Sequence, residues 1–243
     1  MHLVRALAPP RLAAGVFVAL ALLTTACSND VASGVTAPPL DISLGKGAPP
    51  PSASFAVLAN ANVTCTGGHI NGDVGTYQAK PTGKVTQTPA GCVKGKVDVG
   101  DAAAKTAYNN FLSTYAALAP KPLSQCTPLT GTLAGQKLAP GVYCVAPTEK
   151  TGKLTLDGPA NGVWTFTVAG ALTGTNFVMV MAGHAQACNV TWWVANGATM
   201  TDSNFQGNLL GGEGITLTRG TFNGNAWATA DFTTTGTKLT GCS

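Results

Sequence analysis

Charge is scarce in this sequence. Asp, Glu, Lys and Arg make up 10% of its 243 residues, aromatic residues make up 7%, and histidine occurs three times. The formal net charge is +4, and it falls to about +2 (twelve basic against ten acidic residues) without Arg5 and Arg11 of the N-terminal segment. A positive charge this weak and scattered excludes the basic surface that nucleic-acid binding requires.

Motifs for catalysis and metal binding are also missing. The sequence has no Gly-x-Ser-x-Gly, no zinc-type histidine pair and no phosphate-binding loop. His69 and His184 have no partner nearby in sequence, and no two cysteines have the CxxC spacing of zinc or redox sites. The sequence therefore predicts a protein that is not an enzyme and that uses no metal or cofactor.

The N-terminal segment has the pattern of an export signal. Arg5 and Arg11 accompany an apolar run, Leu12 to Leu23, that is too short to span a membrane comfortably. The following Thr24-Thr25-Ala26-Cys27 resembles a bacterial lipoprotein cleavage site, although Thr24 stands where leucine is usual. We therefore expect residues 1–26 to be a signal peptide and Cys27 to carry a lipid that holds the chain at the outer membrane or cell surface. The alternative is ordinary secretion after cleavage near Ala26.

Six cysteines remain after Cys27: Cys65, Cys92, Cys126, Cys144, Cys188 and Cys242. An even number in an exported chain favours disulfides. Six cysteines allow fifteen pairings. Pairing near neighbours in sequence gives Cys65 with Cys92, Cys126 with Cys144, and Cys188 with Cys242.

The rest of the chain divides into a tether and one domain. Residues 27–53 are rich in Pro and Gly and are expected to form a flexible tether, and residues 54–243 a monomeric domain large enough for a core. One helix is expected between Asp98 and Ala119, capped by Asp98 or Asp101. Its apolar residues recur at helical spacing: Ala104, Tyr108, Phe111, Leu112, Tyr115 and Leu118. The two tyrosines among them are expected to pack in the core.

A Thr-x-Thr phrase recurs every seventeen residues near the end of the chain. It comprises Thr199–Thr201, Thr216–Thr218 and Thr233–Thr235, each followed by a corner, a large apolar residue and x-Gly. The phrase also occurs near the start as Thr64–Thr66, with a degenerate copy at Thr86–Thr88. A period of seventeen suits one coil of a β-helix, with three short strands joined by tight corners.

Alternation along these strands predicts which side chains face solvent. Ile215 and Leu217 point inward, as does Phe222 after the corner, while Thr216 and Thr218 point outward. Because successive coils lie about 4.7–4.9 Å apart, equivalent threonines form two ladders: Thr199, Thr216, Thr233 and Thr201, Thr218, Thr235. Alternate residues of two further strands are expected in the core: Trp164, Phe166, Val168, Val190, Trp192 and Val194.

Several further phrases resemble the β-solenoid ice-binding proteins of bacteria, fungi and algae. They are Phe55-Ala-Val-Leu-Ala59, Ile70-Asn-Gly-Asp-Val-Gly75, Ala107-Tyr-Asn109, Leu138-Ala-Pro-Gly-Val-Tyr-Cys144, Gln186-Ala-Cys-Asn-Val-Thr-Trp192 and the Asn223-Gly224 coil. The resemblance covers nearly all of residues 55–242. It implies a mainly β fold, a discontinuous right-handed parallel β-helix (β-solenoid) of triangular cross-section with one long α-helix alongside, and it implies binding of ice crystals through one flat face.

The resemblance also indicates site residues. The family's Thr-x-x-Thr or Thr-x-x-Asn spacing falls on Thr201 with Asn204 and on Thr218 with Thr221. The predicted ice-binding residues are Thr64, Thr66, Thr199, Thr201, Asn204, Thr216, Thr218, Thr221, Thr233 and Thr235. Which face binds ice is left open by the sequence. Three charged residues, Asp202, Arg219 and Lys238, are expected to interrupt the ladders and to limit the activity.

The sequence is also compatible with other functions. Threonine is a good strand former, and outward ladders can serve stability alone. An envelope-anchored structural or glycan-binding adhesin would use Trp193 and Trp227 to stack on sugars if alternation turned them outward, although packing at a cap or against the helix is the preferred interpretation. Some β-helices cleave polysaccharides, which requires paired carboxylates.

Overall fold

The structure, a computed structural model, describes residues 55–120 and 125–242. The predicted signal peptide (1–26), the lipidation site Cys27 and the tether (27–53) lie outside these residues.

Two parallel sheets build the described chain, and their strands stack as the coils of a solenoid. In spatial order the first sheet contains β6 (Val97–Val99), β4 (Asp73–Thr76), β1 (Phe55–Ala59), β17 (Ala226–Ala228), β15 (Asn208–Gly211), β13 (Val190–Val194), β11 (Trp164–Val168), β9 (Gly141–Val145) and β7 (Thr127–Leu129). The second contains β5 (Lys84–Thr88), β2 (Asn62–Thr66), β18 (Phe232–Thr235), β16 (Ile215–Asn223), β14 (Ala198–Gln206), β12 (Leu172–Gly183), β10 (Lys150–Gly158) and β8 (Lys137–Leu138). Two short strands continue it, since β19 (Lys238–Thr240) pairs with β16 and β3 (His69–Asn71) pairs with β19.

The order of coils in space differs from their order in the sequence. Strand β1 pairs with β17, and β2 pairs with β18, both in parallel. The N-terminal coils therefore stack directly on the last coil of the chain. This arrangement confirms the expected discontinuous β-solenoid.

Tight corners divide the second sheet into two faces. Strands β12, β14 and β16 each bend at a residue with positive φ, namely Asn176, Asp202 and Arg219. Glycine fills the corresponding corners after β18 (Gly236, φ 67°) and after β2 (Gly67, φ 65°), where a left-handed backbone carries no steric cost.

Alternating side chains fill the interior as the sequence predicts. Ile215, Leu217 and Phe222 are buried, and so are the expected core residues of β11 and β13. Aromatic rings stack from coil to coil: the ring centroids of Phe205 and Phe222 lie 5.1 Å apart, and those of Phe166 and Trp192 lie 4.0 Å apart. The stacked rings tie neighbouring coils together.

The long helix of the described residues, α1 (Ala102–Ala117), packs on the outer surface of the first sheet. Asp101 caps it, because its carboxylate accepts a hydrogen bond from the Ala104 backbone nitrogen at 2.8 Å. Leu112, one of the apolar residues at helical spacing, does not pack on the sheet and is 38% exposed. Phe111 points at the sheet, so the next residue, about 100° further round the helix, faces solvent.

Within the described ranges no helix is long and apolar enough to cross a membrane.

Trp193 and Trp227 do not face solvent. They are 5% and 0% exposed, and their indole nitrogens donate hydrogen bonds to the backbone oxygens of Tyr115 and Phe55. Alternation does turn both side chains out of the solenoid interior, but α1 covers that surface, and Tyr115 stacks on Trp193 at 5.0 Å. The prediction that both tryptophans pack against the helix is confirmed. The alternative prediction, that they are exposed and can stack on sugars, is wrong.

The six cysteines of the domain form three disulfides. The pairs are Cys65–Cys92, Cys126–Cys144 and Cys188–Cys242, which confirms the near-neighbour pairing.

Candidate functional site

Twelve threonines form two ladders on the outer surface of the second sheet. The strand register aligns Thr86, Thr64, Thr233, Thr216, Thr199 and Thr173 in the first ladder. It aligns Thr88, Thr66, Thr235, Thr218, Thr201 and Thr175 in the second. We call the surface made by these twelve side chains the Thr face.

The ladders contain the predicted threonines and extend beyond them. The three rungs spaced by seventeen residues are adjacent, as expected, and Thr64 with Thr66 continues them. The degenerate copy, Thr86 with Thr88, forms one end rung. Sequence reasoning missed the rung at the other end, Thr173 with Thr175, because it precedes Thr199 by 26 residues and so falls outside the period. Its Thr-x-Thr spacing was the only available signal.

Every threonine of the Thr face is exposed or half-buried, whereas in the four inner rungs the residues between them are buried in the core. Met200, Leu217 and Cys65, which lie between the threonines of three rungs, are buried. Across residues 55–120 and 125–242, none of the twelve hydroxyls forms a hydrogen bond with another protein group. The hydroxyls are therefore available to water.

The Thr face is a two-dimensional array. Neighbouring rungs lie about 4.8 Å apart, and the two threonines of one rung lie roughly 6.6 Å apart, as strand geometry dictates. Six rungs thus extend for about 24 Å along the solenoid. Because β-branched side chains have few rotamers, the array is also well ordered. An array of this kind can match a ligand that itself repeats in two dimensions.

A buried hydroxyl fixes one edge of the Thr face. Ser203 follows the corner residue Asp202, and its hydroxyl donates to the backbone oxygen of Thr201 at 2.8 Å. The same hydroxyl accepts a hydrogen bond from the Phe177 backbone nitrogen of the adjacent coil at 3.1 Å. A side chain on Gly220, at the corner of the following coil, would collide with the backbone oxygen of Ser203. The corners therefore hold adjacent rungs in close register.

The charged residues expected to interrupt the ladders lie outside them. Asp202 and Arg219 occupy corners and form an ion pair at 2.6 Å, and Lys238 lies beyond the corner on β19. The expected interruption is wrong, because residues with positive φ at the corners leave the alternation of the strand. Hydrogen bonds from the Arg219 guanidinium hold the pKa of Asp202 below its ordinary value.

Two predicted residues lie on the other side of the corner. Asn204 is aligned with Thr221, which is followed by Lys238 and His69 on the next coils. A second row there contains Gln206, Asn223, Thr240 and Asn71. The Gln206 amide nitrogen donates to the Asn204 side-chain oxygen at 2.7 Å, and the Asn223 amide donates to Gln206 at 3.2 Å. We call the surface formed by these two rows the amide face.

The described chain contains no group of three His, Cys, Asp or Glu residues that could hold a metal ion.

Comparison with protein families places almost the whole solenoid in one group. Residues 57–240 match the model of a family described as ice-binding-like.

Individual relatives agree with that match. An ice-binding protein of Nostoc sp. (strain HG1) is 31% identical over 174 residues, which cover 70% of this chain and 63% of that protein. One of Flavobacterium frigoris (strain PS1) is 37% identical over 102 residues, or 40% of this chain and 37% of that protein. The match thus spans less than two thirds of either relative. The solved structure of an ice-binding protein from the Antarctic ascomycete Antarctomyces psychrotrophicus superposes with a TM-score of 0.71 at 28% identity, covering 78% of this chain and 95% of that one.

Proposed function

The chain belongs to the ice-binding-like family, and on that premise we propose that it binds the surface of ice crystals through its Thr face. The observation that carries this proposal is the unbroken register of twelve outward threonines over six coils. The proposed contact residues are the eight predicted threonines of the ladders together with Thr86, Thr88, Thr173 and Thr175. Asn204 and Thr221 would border this surface from the amide face.

The physical basis is a match between two repeating arrays. Ice has no unique chemical group to recognise, only a lattice of water molecules. Each threonine offers a methyl group that orders nearby water and a hydroxyl that anchors it. One such hydrogen bond contributes only about 0.5–1.5 kcal/mol, so binding requires many contacts held in fixed positions. Because the side chains are stiff and the solenoid is hydrogen-bonded, little conformational entropy is lost on binding.

The other faces are weaker candidates for the same ligand. Helix α1 covers part of the first sheet. The amide face includes Lys238 and His69, and several of its amide groups are already bonded to each other. A charged ammonium group holds its own hydration shell, which opposes an ice-like arrangement of water. The Thr face has uncharged ladders and free hydroxyls, so it is the surface we propose.

The two tryptophans that could have stacked on sugars are not accessible in this fold. Trp193 and Trp227 are buried against α1, and no observation favours a glycan-binding adhesin over ice binding. The relatives are described as ice-binding proteins and not as enzymes. We therefore propose no catalytic role.

We further propose that a lipid on Cys27 holds the protein at the cell surface. The small residues before Cys27 and the Pro-rich segment after it support this location. A tethered ice-binding domain would attach the cell to ice, whereas a secreted one would act on ice in the medium. Mass spectrometry of the mature N-terminus tests the location: a diacylglyceryl group on Cys27 supports anchoring, and an unmodified terminus after Ala26 supports secretion.

Partition into growing ice tests the proposed function. A fluorescently labelled sample of the protein is frozen slowly onto a cooled surface, and its concentration in the ice is compared with that in the remaining liquid. We expect the protein to accumulate in the ice, while a labelled globular protein of similar mass is excluded. Exclusion of the protein to the same extent as the control would contradict the proposal.

A further inference from the structure

Asp202 and Arg219 form a bidentate ion pair at the rim of the Thr face. The Arg219 Nε and one terminal nitrogen donate to the two carboxylate oxygens of Asp202, each at 2.6 Å. The two residues lie on adjacent coils, next to Thr201 and Thr218 of the second ladder. The guanidinium therefore extends along the row of corners toward the neighbouring coil.

The backbone does not require charged residues at these corners. Asp202 and Arg219 have φ values of 50° and 56°, a left-handed conformation that is costly for arginine. The equivalent corners use Asn176, Gly236 and Gly67, residue types that adopt this conformation more readily. The fold alone would thus be served equally well by Asn or Gly at positions 202 and 219.

We propose that the pair keeps the corner edge of the Thr face, beside Thr201 and Thr218, electrically neutral, so that an ordered water layer can extend over these two threonines. This inference rests on the proposed ice-binding function. An isolated charge orients its surrounding water radially, which competes with a lattice anchored by the threonines. In the bidentate pair each charge is neutralised by its partner, because the Nε and one terminal nitrogen of Arg219 donate to the two carboxylate oxygens of Asp202.

The pair is distinct from the other ion pair in the described ranges. Lys137 and Asp157 pair at 2.6 Å on β8 and β10, away from the ladders. Asp202 and Arg219 instead lie directly beside two adjacent rungs of the Thr face, the fifth and the fourth of its six.

A set of four variants tests the proposal by thermal hysteresis, the gap between the freezing and melting points of a crystal in protein solution. The variants are Asp202→Asn, Arg219→Asn, the double variant with both changes, and the exchange Asp202→Arg with Arg219→Asp. Asparagine is chosen because Asn176 already occupies the equivalent corner. Thermal unfolding of each variant is measured alongside.

We expect each single Asn variant, which leaves one unpaired charge, to fall to half or less of the wild-type hysteresis. The double Asn variant has lost the whole ion pair but is neutral, so its hysteresis should return to the wild-type value. The exchanged pair should recover at least part of it. Unfolding temperatures should not follow this order, since a purely structural role would leave the double Asn variant at least as impaired as the single variants.

Two results would overturn the inference while the proposed function stands: a double Asn variant as weak as the single variants, or single variants as active as the wild type. Absence of hysteresis in the wild type would instead contradict the proposed function, and this inference with it, because there would be no activity for the pair to support.

Discussion

Thr64 and Thr233 are direct neighbours in the register between β2 and β18, although most of the folded chain separates them in sequence. This one pairing joins the threonines of the N-terminal coils to those of the C-terminal coils in a single array. Without it the Thr face would consist of two short patches. The stacking of the first coils on the last one therefore determines the size of the proposed binding surface.

The size of the array should determine its activity. Replacing the central rung by Thr216→Ala with Thr218→Ala splits the array, whereas Thr173→Ala with Thr175→Ala only shortens it at one end. We expect both double variants to lose thermal hysteresis, and the central one to lose more. Equal activity of the wild type and the end-rung variant would show that Thr173 and Thr175 do not belong to the binding surface.

A threonine that faces the core should behave differently from the threonines of the Thr face. Thr234 lies between two outward threonines, but its side chain is buried between Leu217 and Cys65, and its hydroxyl has no hydrogen-bond partner. Thr234→Val removes the unpaired hydroxyl and nearly keeps the shape, so we expect the free energy of unfolding to rise by about 1 kcal/mol. Urea denaturation measures this change. Hysteresis should stay at the wild-type value, and a loss of stability would contradict the assignment.

The Cys65–Cys92 disulfide should stabilise the end of the Thr face. Cys65 lies between Thr64 and Thr66 and is linked to the segment that follows the end rung on β5. Replacing both cysteines with serine should lower the free energy of unfolding by about 2–4 kcal/mol, the usual contribution of a native disulfide.

The matched variant for this disulfide is the replacement of Cys188 and Cys242, a pair outside the Thr face. Both variants should be less stable. When hysteresis is measured in the cold, where both remain folded, only the loss of Cys65–Cys92 should reduce it. Equal hysteresis in the two variants would show that this disulfide does not order the end rung.

Alkaline pH should loosen the packing of α1. Burial, reinforced by the nearby Tyr77, raises the pKa of Tyr108 from 10.0 to about 12, and its hydroxyl donates to the Thr229 backbone oxygen at 3.1 Å. Because the pKa is higher in the folded state, the protonated phenol contributes stability fully below about pH 10 and loses that contribution as the pH rises through about 12. Thermal unfolding between pH 9 and 12 should show this decline, and Tyr108→Phe should make it shallower. Identical slopes would contradict the role of Tyr108.

Much of the site could be predicted because the repeat is regular. A seventeen-residue period places Thr199, Thr216 and Thr233 at equivalent positions, and alternation then turns them outward while Leu217 turns inward. The pairing of Thr64 with Thr233 follows from the family's discontinuous solenoid and not from spacing. The disulfides were predicted only as one of fifteen pairings.

The features that the sequence did not predict depend on contacts between distant parts of the chain. The coil with Thr173 and Thr175 is longer than seventeen residues, so periodicity could not find it. The burial of Trp193 depends on α1, which covers part of the outer surface of the first sheet. Asp202 lies outside the threonine ladders because its backbone φ is 50°, and its charge is paired with Arg219 of the next coil. A linear sequence pattern shows neither feature.

Thermal hysteresis of two tyrosine variants measures the central claim most directly. Thr218→Tyr places a bulky ring in the middle of the Thr face, and Thr240→Tyr places the same ring on the amide face, at an exposed threonine of β19. We expect the wild type and Thr240→Tyr to show equal hysteresis and Thr218→Tyr to lose most of it, with all three equally folded. Equal hysteresis in the two variants, or a loss confined to Thr240→Tyr, would show that the Thr face is not the surface that binds ice.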